Sequence, residues 1–208
     1  MSSSREEILK SIRSTINRRG DSLGKAPDFE RPVYQEPVGS LKEKFIIELE
    51  ALKGEVICVK TTDDLAPALS DYLQENNLTK VFCYNPEVLQ LLKNDVKLSS
   101  EDQFINMEVC ITACDLLMAR TGSIMVSTSE TDGRDSFVFP PTHIVVAKES
   151  QLVFDFEDGL AGLQTKNGGE LPSLITTITG QSRTADIEKT LILGAHGPKK
   201  IVVYLIEQ

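Results

Sequence analysis

The chain has 208 residues, of which 40% are apolar and 25% charged, and its net charge is -9. This length and composition are typical of a folded protein with one main domain and a sizeable core. The negative charge argues against binding to nucleic acid or to an anionic membrane surface, because both would repel it. The sequence contains neither an apolar run of about 18 residues nor the apolar core of a signal peptide, so a cytoplasmic location is expected.

Residues 1–39 are predicted to form an amphipathic helix and a proline-containing connector. The helix covers residues 3–18, where apolar side chains recur at helical spacing between basic ones. The apolar positions are Ile8, Leu9, Ile12 and Ile16. The connector, residues 20–39, has three prolines and little periodicity. The first twenty residues hold five basic and two acidic side chains, so the helix either packs on its own domain or docks on an acidic partner.

From residue 40 onward, the pattern alternates between helix and strand. LKEKFIIELEALKG is predicted to be a helix that ends at Gly54, because a glycine relieves left-handed backbone strain at a helix end. The strands EVICVK and KVFCYN follow. Each leads into a helix, the first with Thr62 or Asp63 as N-cap and the second opened by Pro86. Strands without polar alternation, separated by helices, indicate a parallel sheet that is buried on both faces.

The second half of the chain continues this alternation. Its predicted strands are MEVCIT, SIMVST, THIVVAK, SLITTITG and KIVVYLIE, and its predicted helices are ACDLLMA, DFEDGLAGLQTK and SRTADIEKTLILG. We therefore expect an α/β domain over residues 40–208, with a largely parallel sheet and flanking helices, plus an N-terminal helical arm. Ligands bind such sheets at the carboxyl ends of the strands. This directs attention to the loops ARTGS, TSETDGRDSFVFPPTH and TGQSRT.

The four cysteines indicate a reduced compartment rather than a metal site. Cys58 and Cys83 lie within apolar strands, and Cys110 and Cys114 are four residues apart around a predicted turn. The sequence has no CxxC pair and no accompanying histidine. Buried thiols are therefore expected, and a metal-binding role is not.

The turn that follows Gly180 carries a candidate ligand site. Ser182, Arg183 and Thr184 open a predicted helix, where backbone N–H groups, two hydroxyls and a guanidinium can hold a phosphate or carboxylate. The structural alternative is that Ser182 caps the helix and that Arg183 pairs with Asp186. The Asp186 carboxylate would also repel an anionic ligand. The sequence leaves both interpretations open.

The two histidines are candidates for acid–base chemistry or for structural roles. His143 follows two prolines at the start of the strand THIVVAK, where it is either a hydrogen-bonded core residue or an acid–base group. His196 lies in GAHGP, where Gly194 is expected to end the preceding helix. Turn chemistry explains that glycine but not the histidine.

Further candidates lie in the turn ARTGS and in the loop before His143. Gly122, between Thr121 and Ser123, permits either a left-handed turn or a close approach of the backbone to a ligand. Arg134 in DGRDSF can contact an acidic ligand, although a loop arginine is more often solvated. The sequence has no G-x-S-x-G, no G-x-G-x-x-G and no G-x-x-x-x-G-K-[ST], which argues against a hydrolase elbow and common nucleotide sites.

Four segments of the chain carry a family resemblance. ARTGSIMV, FPPTHIVVAK, ITGQSRTADIEKTLILGAHGP and KIVVYLI, in this order, resemble the LUD-domain family, in particular its lactate utilization protein C group. The resemblance is strong over residues 100–208. It implies a fold similar to that of sugar-phosphate isomerases and CoA-transferases. It also implies a part in oxidising L-lactate to pyruvate beside two iron-sulfur partners, lactate utilization proteins A and B, with the clusters in those partners and no cofactor evident in this chain.

The resemblance assigns no catalytic residue. Gln181 stands where relatives often have a proline, and FVFPPTH replaces a leucine-rich approach to the prolines. The ligand-binding candidates are Thr121, Gly122, Ser123, Arg134, His143, Gly180, Ser182, Arg183, Thr184, Asp186 and His196. Two competing functions remain. One is an independent enzyme acting on a small phosphorylated, acyl-CoA or carboxylate substrate, and the other is a scaffold that docks through its N-terminal helix.

Overall fold

The computed structural model describes residues 4–20, 39–92, 95–99, 107–127, 134–184, 192–194 and 197–207. The chain separates into two compact units, Met1–Glu36 and Pro37–Gln208. The first unit contains helix α1 (Ser4–Gly20), which confirms the helix predicted there. Its exposed apolar side chains are Ile8, Leu9 and Ile12. Within the described ranges, no helix is both long enough and apolar enough to cross a membrane.

The second unit is built on a central sheet of five parallel strands. In chain order these strands are β1 (Glu55–Val59), β2 (Val81–Cys83), β3 (Val109–Ala113), β6 (Thr142–Lys148) and β11 (Lys200–Ile206). They lie in the order β1-β11-β6-β3-β2, and every neighbouring pair is parallel. Strands β6 and β11 are buried on both faces, which is why THIVVAK and KIVVYLI are nearly continuous apolar runs. The predicted parallel sheet is confirmed.

Helices α3 (Thr62–Glu75) and α4 (Pro86–Leu92) cover one face of the central sheet. The core between these helices and the sheet includes Leu65, Leu69, Val88, Ile144 and Tyr204. The N-cap of α3 is Thr61 rather than the predicted Thr62 or Asp63. The Asp64 carboxylate accepts a hydrogen bond from the Thr61 N–H at 3.0 Å, which fixes the helix start at the earlier residue.

A second sheet, of four strands, covers the opposite face. Its strands are β4 (Leu116–Met118), β5 (Ser123–Ser127), β7 (Leu152–Val153) and β8 (Ile175–Ile178). They lie in the order β7-β4-β5-β8, with β5 antiparallel to both neighbours and β4 parallel to β7. Helix α5 (Phe156–Lys166) packs on the outer surface of this sheet, where Leu163 contacts the cluster of Met118 and Met125.

The segment ACDLLMA forms strand β4, so its prediction as a helix is wrong. The Asp115 N–H donates to the Met125 carbonyl at 2.9 Å, and the next three residues pair with β5. A three-residue strand is too short to show an alternating pattern. Pairing with β5 outweighs the helix propensity of the two leucines.

The segment SRTADIEKTLILG is also not helical where the structure describes it. Strand β9 (Arg183–Thr184) pairs antiparallel with β10 (Ile192–Leu193). Gly194 has a φ of 71° and follows a strand rather than a helix. Its N–H donates to the Ser182 carbonyl at 2.9 Å, which joins the two ends of the segment. The helical prediction is wrong at these residues. Two-residue strands that pair across the segment produce no periodic pattern in the sequence.

Helix α2 (Leu41–Ala51) lies between the two sheets, where Phe45 and Leu49 are fully buried. Their neighbours in this core come from both sheets and include Leu117, Ile124, Val145 and Val203. The left-handed backbone expected at Gly54 is adopted by Lys53 instead, with a φ of 68°. Gly54 provides space, because a Cβ there would lie 2.6 Å from the Leu49 side chain.

Two turns of the second sheet contact the C-terminal end of α2 through glycines with left-handed backbones. Gly122 has a φ of 59° and Gly180 a φ of 75°. A Cβ on Gly122 would lie 2.4 Å from the backbone nitrogen of Leu49, and one on Gly180 would lie 2.8 Å from the Leu52 Cβ. Only glycine permits this approach. These two positions therefore fix how α2 sits on the second sheet.

Replacing Gly122 with alanine is expected to lower the free energy of unfolding by about 3 to 5 kcal/mol, because left-handed strain adds to a clash with the α2 backbone. Gly168→Ala is the matched control, since Gly168 has a φ of 67° but nothing within 4 Å of its Cβ position. That control should cost only the strain, about 1 to 2 kcal/mol. Urea denaturation measures both variants, and equal losses would contradict the close approach to α2.

Candidate functional site

The turns around Gly122 and Gly180 lie side by side and are joined by hydrogen bonds. The buried Ser123 hydroxyl lies 2.7 Å from the Thr121 hydroxyl and 2.9 Å from the Thr179 hydroxyl. These hydrogen bonds join the start of β5 to the end of β8, in register with the pairing of the two strands. The structure thus brings together two motifs that are far apart in the sequence.

Side chains of the second turn cap helix α2. The Gln181 amide donates to the Lys53 carbonyl at 3.0 Å, and the Arg183 guanidinium donates to the Leu52 carbonyl at 2.7 Å. Carbonyls at a helix C-terminus lack intrahelical partners and carry partial negative charge, so a guanidinium is favourable there. The arginine considered for an anionic ligand therefore contacts the end of a helix.

This group of turns lies at the amino edge of the central sheet. Helix α2 ends directly before β1 begins, and Ser182 donates its N–H to the Pro198 carbonyl at 2.9 Å, just before β11. The N–H of Lys199 donates to the Pro141 carbonyl at 2.8 Å, which joins the starts of β11 and β6. Parallel sheets bind ligands at the carboxyl edge, which is the opposite side. A ligand-binding role for these turns stays a prediction.

Four candidates fall wholly or partly outside the described residues. Arg134 begins a short 3₁₀ turn and Thr184 lies in β9, but the structure does not describe their side chains. Asp186 and His196 lie outside the described ranges altogether. The proposed pairing of Arg183 with Asp186 and the role of His196 therefore stay predictions.

His143 is a fully buried residue of β6. Its Nε2 lies 2.8 Å from the Thr112 hydroxyl on β3. Burial lowers the pKa of the imidazole to about 4, because desolvation disfavours the charged form, so the ring is neutral at pH 7. Among the described groups, neither His143 Nδ1 nor the buried Ser136 hydroxyl has a hydrogen-bond partner. The structure places His143 in the core, and its acid–base role stays a prediction.

The carboxyl edge of the central sheet holds a cleft of about 620 Å³. The ends of β3, β6 and β11 form its floor, and α4 forms one wall. Its charged and amide-bearing lining residues are Glu87, Gln90, Lys148, Gln151 and Lys166. A smaller groove, of about 480 Å³, lies between the end of α3 and the start of β2, at the amino edge. The larger cleft lies where open α/β sheets bind ligands, so it is the better candidate.

Gln151 holds the floor of the cleft in place. Its side-chain N–H groups donate to the Cys114 carbonyl at 2.6 Å and to the Asp115 carbonyl at 3.2 Å. Its side-chain oxygen accepts a hydrogen bond from the Lys148 backbone N–H at 2.7 Å. One amide thus fixes the crossing from β3 to β4 against the end of β6. This gives the cleft a rigid base.

Asp115 and Lys166 form an ion pair at the cleft. Asp115 Oδ1 lies 3.3 Å from Lys166 Nζ, with the aspartate side chain 1% exposed and the lysine side chain 52% exposed. The other carboxylate oxygen is buried, and it has no hydrogen-bond partner among the described groups. A buried carboxylate is costly unless a cation and hydrogen bonds compensate it. The pair therefore constrains where the Lys166 ammonium lies.

These cleft residues are not among the sequence candidates. Asp115 could have been noticed in the sequence, because it is polar and comes two residues after the end of the apolar strand β3, where ligand-binding side chains concentrate. The helical prediction for ACDLLMA obscured that position. Lys166 resembles any basic residue in the last turn of a helix. Only the fold brings it to a carboxylate 51 residues away.

The four cysteines occupy different environments. Cys110 and Cys114 are buried, as predicted, while Cys83 is half-buried and Cys58 is exposed. The predicted burial of Cys58 is wrong because β1 is an edge strand of the sheet. Among the residues that the structure describes, no three His, Cys, Asp or Glu side chains are grouped so as to hold a metal ion.

Comparison with known proteins gives a family match and several relatives. A family model described as the LUD domain matches residues 42–206. Lactate utilization protein C of Shouchella clausii is 32% identical over 127 residues, which cover 61% of this chain and 55% of that protein. Lactate utilization protein C of Macrococcus caseolyticus is 26% identical over 163 residues, with 71% and 70% covered. The chain spans about half the length of most of the curated relatives that it matches.

One solved structure has a similar fold. It is the crystal structure of a DUF162 family protein from Deinococcus radiodurans, with a TM-score of 0.60 and 17% sequence identity. The match covers 82% of this chain and 99% of that one. It agrees with the α/β architecture expected from the sequence.

Protonation of His143 is expected to destabilise the fold at acidic pH. The unfolded chain binds this proton near pH 6.5 and the folded chain only near pH 4, so the free energy of unfolding falls as the pH drops through this window. The difference corresponds to about 3 kcal/mol. Urea denaturation at pH 7 and at pH 4 should show a smaller loss for His143→Gln than for the wild type. Equal losses would mean that the histidine is not held neutral in the core.

Proposed function

Since this chain belongs to the LUD domain family, we propose that it acts in lactate utilization. The observation that carries the proposal is its similarity, across this domain, to relatives named lactate utilization protein C. The similarity to the Macrococcus caseolyticus protein extends over 163 residues. It therefore reaches well beyond one short motif.

Within that role, the chain is a cytoplasmic, cluster-free component of the oxidation of L-lactate to pyruvate. This reaction converts the hydroxyl-bearing carbon to a ketone and releases two electrons and two protons. The electrons pass to iron-sulfur partners, lactate utilization proteins A and B. The four cysteines of this chain lie on three strands and in the turn after β3, an arrangement that favours clusters in the partners. The chain itself binds a small carboxylate or stabilises those partners.

The carboxyl-edge cleft supports a carboxylate ligand. Lys148 and Lys166 line it from the end of β6 and from the last turn of α5. Carboxylates form charge-assisted hydrogen bonds with ammonium groups, and these are stronger than hydrogen bonds between neutral groups. The chain as a whole has a net charge of -9, whereas the charged residues that line the cleft are Lys148, Lys166 and Glu87. Two lysines in one cleft therefore give a small anion a favourable place to bind.

A second function is favoured by the size of the cleft. A volume of about 620 Å³ is more than a three-carbon acid occupies and lies within the range of sites for larger ligands. This supports an independent enzyme acting on a phosphorylated or acyl-CoA substrate. A thermal-shift panel of L-lactate, pyruvate, sugar phosphates and acyl-CoA esters separates the two. Stabilisation by a sugar phosphate or an acyl-CoA, with none by lactate or pyruvate, would favour this second function.

Helix α1 provides a surface for the partner proteins. Its Ile8 and Ile12 side chains are 60% and 50% exposed, and Arg5, Lys10 and Arg13 lie between or beside them. An apolar stripe flanked by basic side chains suits an acidic protein with an apolar groove. The chain therefore contacts its partners through this helix.

Deletion of the gene is expected to abolish growth on L-lactate as the sole carbon source, while growth on pyruvate stays normal. Growth curves on the two carbon sources measure this, and complementation with the wild-type gene restores growth. Normal growth of the deletion strain on L-lactate, in the absence of a second copy of the gene, would refute the proposed role.

Removal of residues 1–20 is expected to prevent co-purification with the iron-sulfur partners, because it removes the apolar and basic surface of α1. The urea denaturation midpoint of the rest of the chain should change little. Pull-down of tagged full-length and truncated chains measures the difference. Equal recovery of the partners by both chains would show that α1 is not the docking surface.

A further inference from the structure

We propose that the carboxyl-edge cleft is a receptor for the carboxylate of its ligand, with Lys166 and Lys148 as the binding cations. Asp115 is the residue that positions Lys166. The ligand class rests on the proposed function, but the site itself is inferred from the side chains of the cleft. It differs from the turn after Gly180, which the sequence offers as a candidate anion site.

The burial of Asp115 indicates that its pairing with Lys166 is a defined feature of the fold. An exposed aspartate would pair with a lysine at little cost, whereas this side chain is 1% exposed. Taking a carboxylate out of water costs several kcal/mol unless it is compensated. Here the described compensation is one ammonium at 3.3 Å, and one carboxylate oxygen is buried without a described partner. Such an arrangement holds the Lys166 ammonium at a defined point of the cleft.

The exposure of Lys166 indicates that a ligand can reach it. Its side chain is 52% exposed, and it lines the cleft while contacting Asp115. An ammonium group carries three N–H donors, so it can contact Asp115 and a ligand oxygen together. The ion pair costs the lysine much of its rotational freedom before any ligand arrives, and this lowers the entropy lost on binding.

Lys148 supplies the second cation from a rigid position. It is the last residue of β6, and its backbone N–H is held by the Gln151 side chain at 2.7 Å. The same amide holds the carbonyls of Cys114 and Asp115. The strand end that carries Lys148 and the crossing that carries Asp115 are therefore fixed to each other. The two lysines outnumber Glu87, the carboxylate residue among those lining the cleft, and therefore favour a carboxylate over a neutral ligand.

The test uses the full-length chain, with pyruvate and L-lactate as probes in isothermal titration calorimetry. Lys166→Met is expected to weaken binding of the preferred probe by about tenfold or more, which is typical of losing a hydrogen bond to a charged group. Lys148→Met should weaken binding in the same direction. Lys44→Met is the matched control, because it removes a lysine that pairs with Glu48 on α2, outside the cleft. This control should bind like the wild type.

Two further variants separate positioning from simple structural support. Asp115→Asn keeps the shape of the side chain but removes the charge that holds Lys166 in place. Binding should weaken although the ligand does not contact Asp115, because the lost positioning of Lys166 outweighs the lost repulsion between the two carboxylates. Lys166→Arg keeps the cation and should restore part of the affinity lost in Lys166→Met. Circular dichroism verifies that each variant is folded, and the affinity of Lys166→Arg remains the test if Lys166→Met does not fold. Unchanged or tighter binding in Asp115→Asn would refute its positioning role.

Wild-type affinity in both lysine-to-methionine variants would overturn the proposal. So would a wild-type chain that binds neither probe, and that result would leave the growth phenotype on L-lactate as a separate question. Two other results can occur together: the purified chain binds pyruvate in a way that depends on Lys166, and the deletion strain grows normally on L-lactate. That combination would support the site and refute the metabolic role.

Discussion

The close approach of the α2 backbone to Gly122 and Gly180 is the contact on which the arrangement of the second unit depends. A Cβ at either position would overlap the end of the helix, so the second sheet can dock only with glycine there. Helix α2 in turn fills the space between the two sheets. At its other end, Lys42 pairs with Glu149 and Glu207, which follow β6 and β11 at the carboxyl edge. One helix therefore links both edges of the central sheet.

This link gives a physical meaning to the most specific part of the sequence. The pattern TGQSRT supplies a glycine for close contact, and Gln181 and Arg183 bind the last carbonyls of α2. Gly180 and Arg183 therefore have structural roles at the end of α2, and so does Gln181, which stands where relatives often have a proline. The carboxyl edge has a different composition: Lys148, Lys166 and Glu87 line its cleft, and the buried Asp115 pairs with Lys166. The contacts of this turn with α2 and the lysines of the cleft thus lie at opposite edges of the central sheet.

The sequence predicts those elements of the fold that leave a pattern in their own residues. Strands β6 and β11 are buried on both faces and therefore appear as apolar runs. The sequence does not predict the strands β4 and β9, because two or three residues show no periodicity and these strands pair only through the tertiary fold. The same limit applies to the site. The contact between Asp115 and Lys166 spans 51 residues, and neither residue has a motif that would select it.

The central claim is that a ligand binds at the carboxyl edge of the central sheet and not at the turn after Gly180. Amide chemical shifts of the isotope-labelled chain, recorded during titration with pyruvate, test it directly. The account predicts that the largest changes occur at Cys114, Lys148 and Lys166, around the carboxyl-edge cleft. The amides of Gly180 and Arg183 should change little, because that turn is occupied by the end of α2. Changes concentrated at Gly180 and Arg183, with none at the cleft, would contradict the account.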